Sequence, residues 1–186
     1  STITDPYASQ YDRDIMLTGW FDTHMADLDH RNKLLANYLI QNSIWWIEYS
    51  GIDGIRLDTQ PYSDKKFVSD WAVAIFNEYP KFSIVGEAWM QQEALTAYFQ
   101  KDVNNTDGYN SNIPSVTDFP LYYGINKAFN EKDGWSEGLA RLYNVMALDF
   151  LYPSPDNNLI FCDNHDLTRF YSGIGMNLKK WKMGIA

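Results

Sequence analysis

Three carboxylate motifs follow one another in this 186-residue chain: Gly51-Ile-Asp-Gly-Ile-Arg-Leu-Asp58, Gly86-Glu-Ala-Trp89 and Phe161-Cys-Asp-Asn-His-Asp166. Each ends an apolar, β-branched run with an acid. That pattern places Asp58, Glu87 and Asp166 where buried strands emerge into solvent, the end at which parallel barrels keep their chemistry. Neighbouring parallel strands lie about 4.8 Å apart. Asp58 and Glu87, on successive strand ends, can therefore meet the roughly 5 to 5.5 Å spacing at which one ionised and one protonated carboxyl cleave a glycosidic bond with retention. Arg56, two residues before Asp58, points to the same side of its strand and can hold that carboxylate ionised.

The elements that must position these groups follow from the apolar spacing. Residues 1–30 are polar with scattered aromatics and read as loop. From Asn32, the positions Leu34, Leu35, Tyr38, Leu39, Trp45, Trp46 and Tyr49 recur at helical intervals, and Gly51 closes the helix. A strand over Ile52–Leu57 follows. Ser63 or Asp64 caps a second helix that buries Phe67, Val68, Trp71, Ala74, Ile75 and Phe76 and stops at Pro80. The spacing then predicts a strand over Lys81–Val85, a helix over Gln92–Gln100, a long polar loop over Lys101–Asp118 and a strand over Val116–Pro120. Helices over Tyr122–Asn130 and Gly138–Leu151, a strand over Asn158–Cys162 and a helix from Leu178 complete the reading. Strands alternating with helices imply parallel pairing.

Composition narrows the partners. A formal charge of −9 leaves no basic stripe for phosphates, which argues against nucleic acid and an anionic membrane surface. No run of 18 or more apolar residues occurs, and the first residues lack the pattern of a signal peptide. The single Cys162 has no partner for an internal disulfide, so cysteine usage does not set the redox compartment. Seven Trp and thirteen Tyr exceed what a core of this size usually needs, so some of them are free to stack on sugar faces.

The three motifs in this order resemble those of the α-amylase superfamily, glycoside hydrolase family 13. Met25-Ala-Asp-Leu-Asp29 is similar to the family's auxiliary motif, and the string from His24 to Asp58 looks closest to the neopullulanase and cyclomaltodextrinase branch of Bacteroides type. The resemblance implies a partial (β/α)8 TIM barrel, roughly strands four to seven. Residues 1–30 would end an inserted loop domain and residues 31–186 would form the barrel segment. The family's third-strand Asn-His motif and its eighth strand are missing, so the isolated chain is expected to be inactive. With two unpaired sheet edges it is also expected to self-associate.

By the same resemblance Asp58 is the nucleophile, Glu87 the general acid and base, and Asp166 a carboxylate that grips sugar hydroxyls and steadies the cationic transition state. Arg56, His165 and Trp89 are implied substrate-binding residues, with core packing the competing role for Trp89. The substrates implied are α-1,4-linked glucans: pullulan, starch, cyclodextrins or malto-oligosaccharides. A maltogenic amylase, a glucan transglycosylase and a non-catalytic binding relative are the alternatives. No organic cofactor is required and no metal site is assigned; Asp27 and Asp29 leave calcium as an option for the intact enzyme. A departure stands next to the nucleophile, where Thr59-Gln-Pro-Tyr62 replaces the Lys-His pair common in amylases. A periplasmic or cell-envelope location is suggested by the resemblance alone.

Overall fold

A computed structural model describes residues 3–186. Its centre is a parallel sheet of three short strands in the order β1 (Gly54–Leu57), β2 (Ser83–Gly86), β3 (Ser115–Val116). β1 and β2 each begin two residues later than the expected Ile52 and Lys81, whereas β3 begins at Ser115, one residue before the expected Val116, and stops there. The strand expected over Asn158–Cys162 contracts to one parallel bridge, Thr117 to Leu159, held by Leu159 N–H donating to the Val116 carbonyl at 2.9 Å and Asp118 N–H donating to the Leu159 carbonyl at 3.0 Å. Its outer edge faces no further strand in the described chain, and Leu159 and Ile160 stay exposed. Pairing on one side only does not extend the ladder.

Helix caps account for the boundaries. The Asn32 side chain accepts from Leu34 N–H at 3.0 Å and starts α2 (Lys33–Ser50), while Gly51 at φ 63° ends it in the left-handed conformation that suits glycine. Asp64 caps α3 (Lys65–Glu78), which lays Val68, Trp71, Ala72 and Ile75 against Phe82, Ile84 and Ile113 to form the first core cluster. A second cluster joins Ala88, Met90, Ala97, Phe99, Val116 and Tyr152 around α4 (Glu93–Ala97).

Several expectations are corrected. Residues 1–30 are not all loop: α1 (Gln10–Thr18) forms because the Ser9 hydroxyl accepts from Asp12 N–H at 3.1 Å and donates to the Asp12 carboxylate at 2.7 Å. Pro120 belongs to helix, not strand. Asp118 caps α5 (Phe119–Asn130) and proline is compatible with a first helical turn. The helix over Gly138–Leu151 shortens to α6 (Ala140–Met146), followed by a 3₁₀ turn at Asp149–Leu151. A short α7 (Phe170–Gly173) precedes α8 (Leu178–Gly184). The face of α2 also differs from expectation. Ile47 is its one buried residue, while Leu34, Tyr38, Trp45, Trp46 and Tyr49 are exposed, with Trp45 and Tyr49 stacked on each other at 4.8 Å.

Asp118 carries a pH consequence. Burial, with Asp149 and Glu93 adding to it, pushes its carboxyl up to about 6 from 3.8, although the Leu121 N–H bond pulls the other way. The folded state thus binds this proton more tightly than the unfolded state, so the group costs stability as pH rises from about 4 to about 6 and the full cost persists above. An asparagine in its place would keep the cap without the charge. Asp118→Asn is expected to stabilise the chain by on the order of 2 to 3 kcal/mol near pH 7.5, with the gain vanishing near pH 4. Urea unfolding at both pH values checks this; an equal difference at the two would contradict it.

Candidate active site

The parallel register builds the centre of the site. Arg56 pairs with Val85 and Leu57 with Gly86, so one step further Asp58 stands opposite Glu87 at the carboxyl ends of β1 and β2. Glu87 N–H donates to the Leu57 carbonyl at 2.8 Å and locks this level. The Arg56 guanidinium then reaches both acids, with NH1 at 3.0 Å from Asp58 Oδ1 and NH2 at 2.7 Å from Glu87 Oε1. Asp53, three residues before Arg56, forms no ion pair with it among the described residues.

The two acids sit in unlike surroundings. Asp58 is exposed, whereas Glu87 is 3% exposed. Burial holds the Glu87 carboxyl above its ordinary range, and the neighbouring Asp58 adds to the rise; the Thr59 N–H, 2.9 Å from Oε2, and Arg56 oppose it. A buried carboxyl that favours its proton, beside an exposed carboxylate held by a cation, is how two like groups take the acid and base roles at one pH.

Beside Glu87 opens a cleft of about 300 Å³ lined by Phe21, Thr59, Pro61, Tyr62, Glu87, Trp89 and Gln91; Asp58 is not part of its lining. Trp89 lies parallel to Phe119 at 4.8 Å between ring centroids, and its indole N–H donates to the Tyr123 hydroxyl at 2.8 Å. One ring face is thus covered, yet the side chain remains 41% exposed, so packing and a place in the cleft coexist. Phe21 meets Tyr62 edge-on at 5.0 Å. Sequence reasoning did not select Phe21, Tyr62 or Gln91. The only signals available were the Trp20-Phe21 pair in a polar stretch and the altered residues after Asp58.

Asp166 and His165 pair with each other, Nε2 to Oδ2 at 3.2 Å, and Asp166 N–H donates to the Asn164 side chain at 2.9 Å. Neither shares a hydrogen bond or ion pair with Arg56, Asp58 or Glu87 among the described residues. The neighbouring Asp163 is engaged in structure, accepting from Arg169 at 2.8 Å and from Phe170 N–H at 2.7 Å. His24 and His30 sit apart from the cleft; His30 stacks on Phe67 at 4.3 Å and His24 contacts the Thr23 hydroxyl at 3.1 Å.

A family model described as the alpha amylase catalytic domain matches residues 12–185. The chain belongs to this family. Among its α-amylase family relatives, the beta/alpha-amylase of Paenibacillus polymyxa is 30% identical over 161 residues, covering 84% of this chain and 12% of the relative. The cyclomaltodextrin glucanotransferase of Thermoanaerobacterium thermosulfurigenes is 29% identical over 149 residues, covering 80% of this chain and 20% of the relative. Of solved structures, the α-amylase of Geobacillus thermoleovorans complexed with acarbose superposes with a TM-score of 0.77 at 25% identity, covering 95% of this chain and 38% of that one. The three-stranded sheet with its helices is thus part of a (β/α)8 barrel, and the chain spans well under half the length of these relatives.

Among the described residues no group of three His, Cys, Asp or Glu side chains could hold a metal ion, and the Asp29 carboxylate accepts from the Arg31 guanidinium at 2.8 Å. Nor is any helix of the described residues long and apolar enough to cross a membrane.

Proposed function

We propose that this chain carries the acid–base centre of a retaining glycoside hydrolase acting on α-1,4-linked glucans, with pullulan as the preferred substrate. The observation that carries the reading is Arg56, which joins an exposed Asp58 to a buried Glu87 at one level of the sheet. Asp58, paired with that cation, attacks the anomeric carbon while Glu87 protonates the departing oxygen, so the glycosidic C–O bond breaks as the ester to Asp58 forms. Water then cleaves the ester, with Glu87 now taking its proton. Asp166 and His165 would bind sugar hydroxyls, and Trp89, Phe21 and Tyr62 would offer apolar faces to the rings. Residues 1–30 would supply the Phe21 side of the cleft as the end of an inserted segment.

Product analysis of the full-length protein on pullulan tests this, with Asp58→Asn as the matched control. Panose from the wild type and none from the variant is the expected result. Release of no sugar from pullulan, starch or cyclodextrin would refute the hydrolytic reading. A relative named as a glucanotransferase gives a second reading, transfer of the glycosyl group to another sugar, which would appear in the same assay as longer oligosaccharides.

Self-association belongs to the same proposal. Leu34, Tyr38, Trp45 and Tyr49 lie exposed along α2 and form an apolar stripe of the kind that draws chains together. Light scattering of the 186-residue chain is expected to show species larger than a monomer, and a sharp monomer peak at all concentrations would count against it.

A further inference from the structure

The turn that follows Asp58 is held from inside the protein. Thr59 lies at φ 47°, in the left-handed region where a β-branched residue persists only if its surroundings impose it. That conformation presents two successive N–H groups to one residue of the next strand: Thr59 N–H to Glu87 Oε2 at 2.9 Å, and Gln60 N–H to the Glu87 carbonyl at 3.1 Å. The Gln60 side chain then turns inward and is 2% exposed. Its Nε2 donates to the Phe99 carbonyl at 3.1 Å, just beyond the end of α4.

The other half of the amide has no partner. Gln60 Oε1 is buried and unbonded, and it occupies the space over the α-carbon of Gly86, where an added Cβ would lie 1.8 Å from it. An unsatisfied buried acceptor costs about 1 to 3 kcal/mol, so stability alone does not favour glutamine here over an apolar side chain of the same length. What glutamine adds is an anchor tied to α4 and seated directly behind Glu87.

We propose that Gln60 is a positioning residue for Glu87, its amide fixed by the Phe99 carbonyl and by the absence of a Cβ at Gly86 so that the Thr59 N–H stays on the Glu87 carboxylate. The charged groups facing that carboxylate are Arg56 and Asp58, both on or just after β1, so the turn adds the one neutral donor in the set. Loosening it removes a bond that favours the ionised form. The proton on Glu87 is then held more tightly. The catalytic consequence rests on the reading of Glu87 as the acid and base, but the coupling itself does not, so the test reads the carboxyl directly.

The experiment is a carbon-13 NMR titration of the Glu87 side-chain carboxyl, assigned by its loss in Glu87→Gln, in wild type, Gln60→Met and Ser111→Ala. Ser111 donates to the same Phe99 carbonyl at 2.7 Å and serves as a control for general loosening at that point. Gln60→Met is expected to raise the Glu87 midpoint by about half a unit or more, with Ser111→Ala leaving it in place. A wild-type midpoint in a folded Gln60→Met protein, or an equal shift in Ser111→Ala, would overturn the proposal.

If Gln60→Met does not fold, Gly86→Ala decides, because its Cβ must evict the Gln60 amide and so should raise the midpoint by itself; no shift there would also overturn the proposal. In Gln60→Ala the space over residue 86 is vacated, so adding Gly86→Ala should move the midpoint no further. A protein inactive on every glucan would remove the catalytic reading and leave this titration result standing.

Discussion

Replacing Glu87 by glutamine is expected to lower turnover of pullulan or starch by about 10²- to 10⁴-fold, with little change in KM. The introduced amide would keep the shape of the buried side chain and, through its single oxygen, one of the two bonds that Glu87 accepts from Arg56 and the Thr59 N–H, and it would carry no transferable proton. The deficit should depend on the leaving group. An aryl glucoside whose phenolate leaves unaided needs no acid in the first step, so its bond cleavage should be nearly spared and the slow step should become hydrolysis of the ester. Added azide, which needs no general base, should then accelerate release of the sugar. Asp58→Asn should lose all of these substrates alike and gain nothing from azide. Equal losses on sugar and aryl leaving groups in Glu87→Gln would remove the assignment of Glu87 as the acid.

The largest stability effect is expected at Gln100, not at the site. This side chain is 1% exposed and fully used: Nε2 faces the carbonyls of Pro114 at 3.1 Å and Ser154 at 2.9 Å and the Asn158 side chain at 2.9 Å, while Oε1 accepts from Ser154 N–H at 3.1 Å. One amide thereby ties the end of α4 to the approach of β3 and to the turn before the Leu159 bridge. Gln100→Leu would match its volume but strand a buried N–H and several acceptors, for a loss of about 3 to 5 kcal/mol. In a chain of this size that corresponds to a melting temperature lower by roughly 10 °C, measurable by circular dichroism. A change within about 2 °C, the scale of a surface substitution, would show that water replaces these bonds.

How much of this was legible in the sequence varies with the kind of interaction. Local signals worked well: Asn32, Gly51, Asp64 and Pro80 bound helices where they stand because capping is decided within a few residues. The first helix was missed although Ser9 and Asp12 carry a capping pattern, since it is only nine residues long, its apolar residues are confined to Tyr11 and Ile15–Leu17, and none is buried. For α2 the period correctly groups Leu34, Tyr38, Trp45 and Tyr49, but periodicity says which residues share a side and not whether anything covers them.

The site divides in the same way. The juxtaposition of Asp58 and Glu87 follows from strand ends in order. The second bond of Arg56, to Glu87, depends on the cross-strand register, and the roles of Gln60 and Phe21 depend on contacts with Phe99 and Tyr62 that no local pattern encodes.

Two irregular segments of similar polarity have opposite mechanical character. Between α4 and β3 the chain bonds inward: Asn105 donates to the carbonyls of Tyr98 and Tyr109, Ser111 and Ile113 are buried, and Asp107 meets Lys65 at 3.1 Å. Between α5 and α6, residues 132–137 are exposed throughout, Trp135 completely, while Arg141 grips Glu131 at 2.9 Å across the base. A free tip on a fastened neck is where a foreign polypeptide can be spliced in without its motions reaching the sheet. A reporter or affinity module grafted at Gly134 would ride outside the cleft, and a protease would find its first cut there and not in the longer, Asn-rich loop.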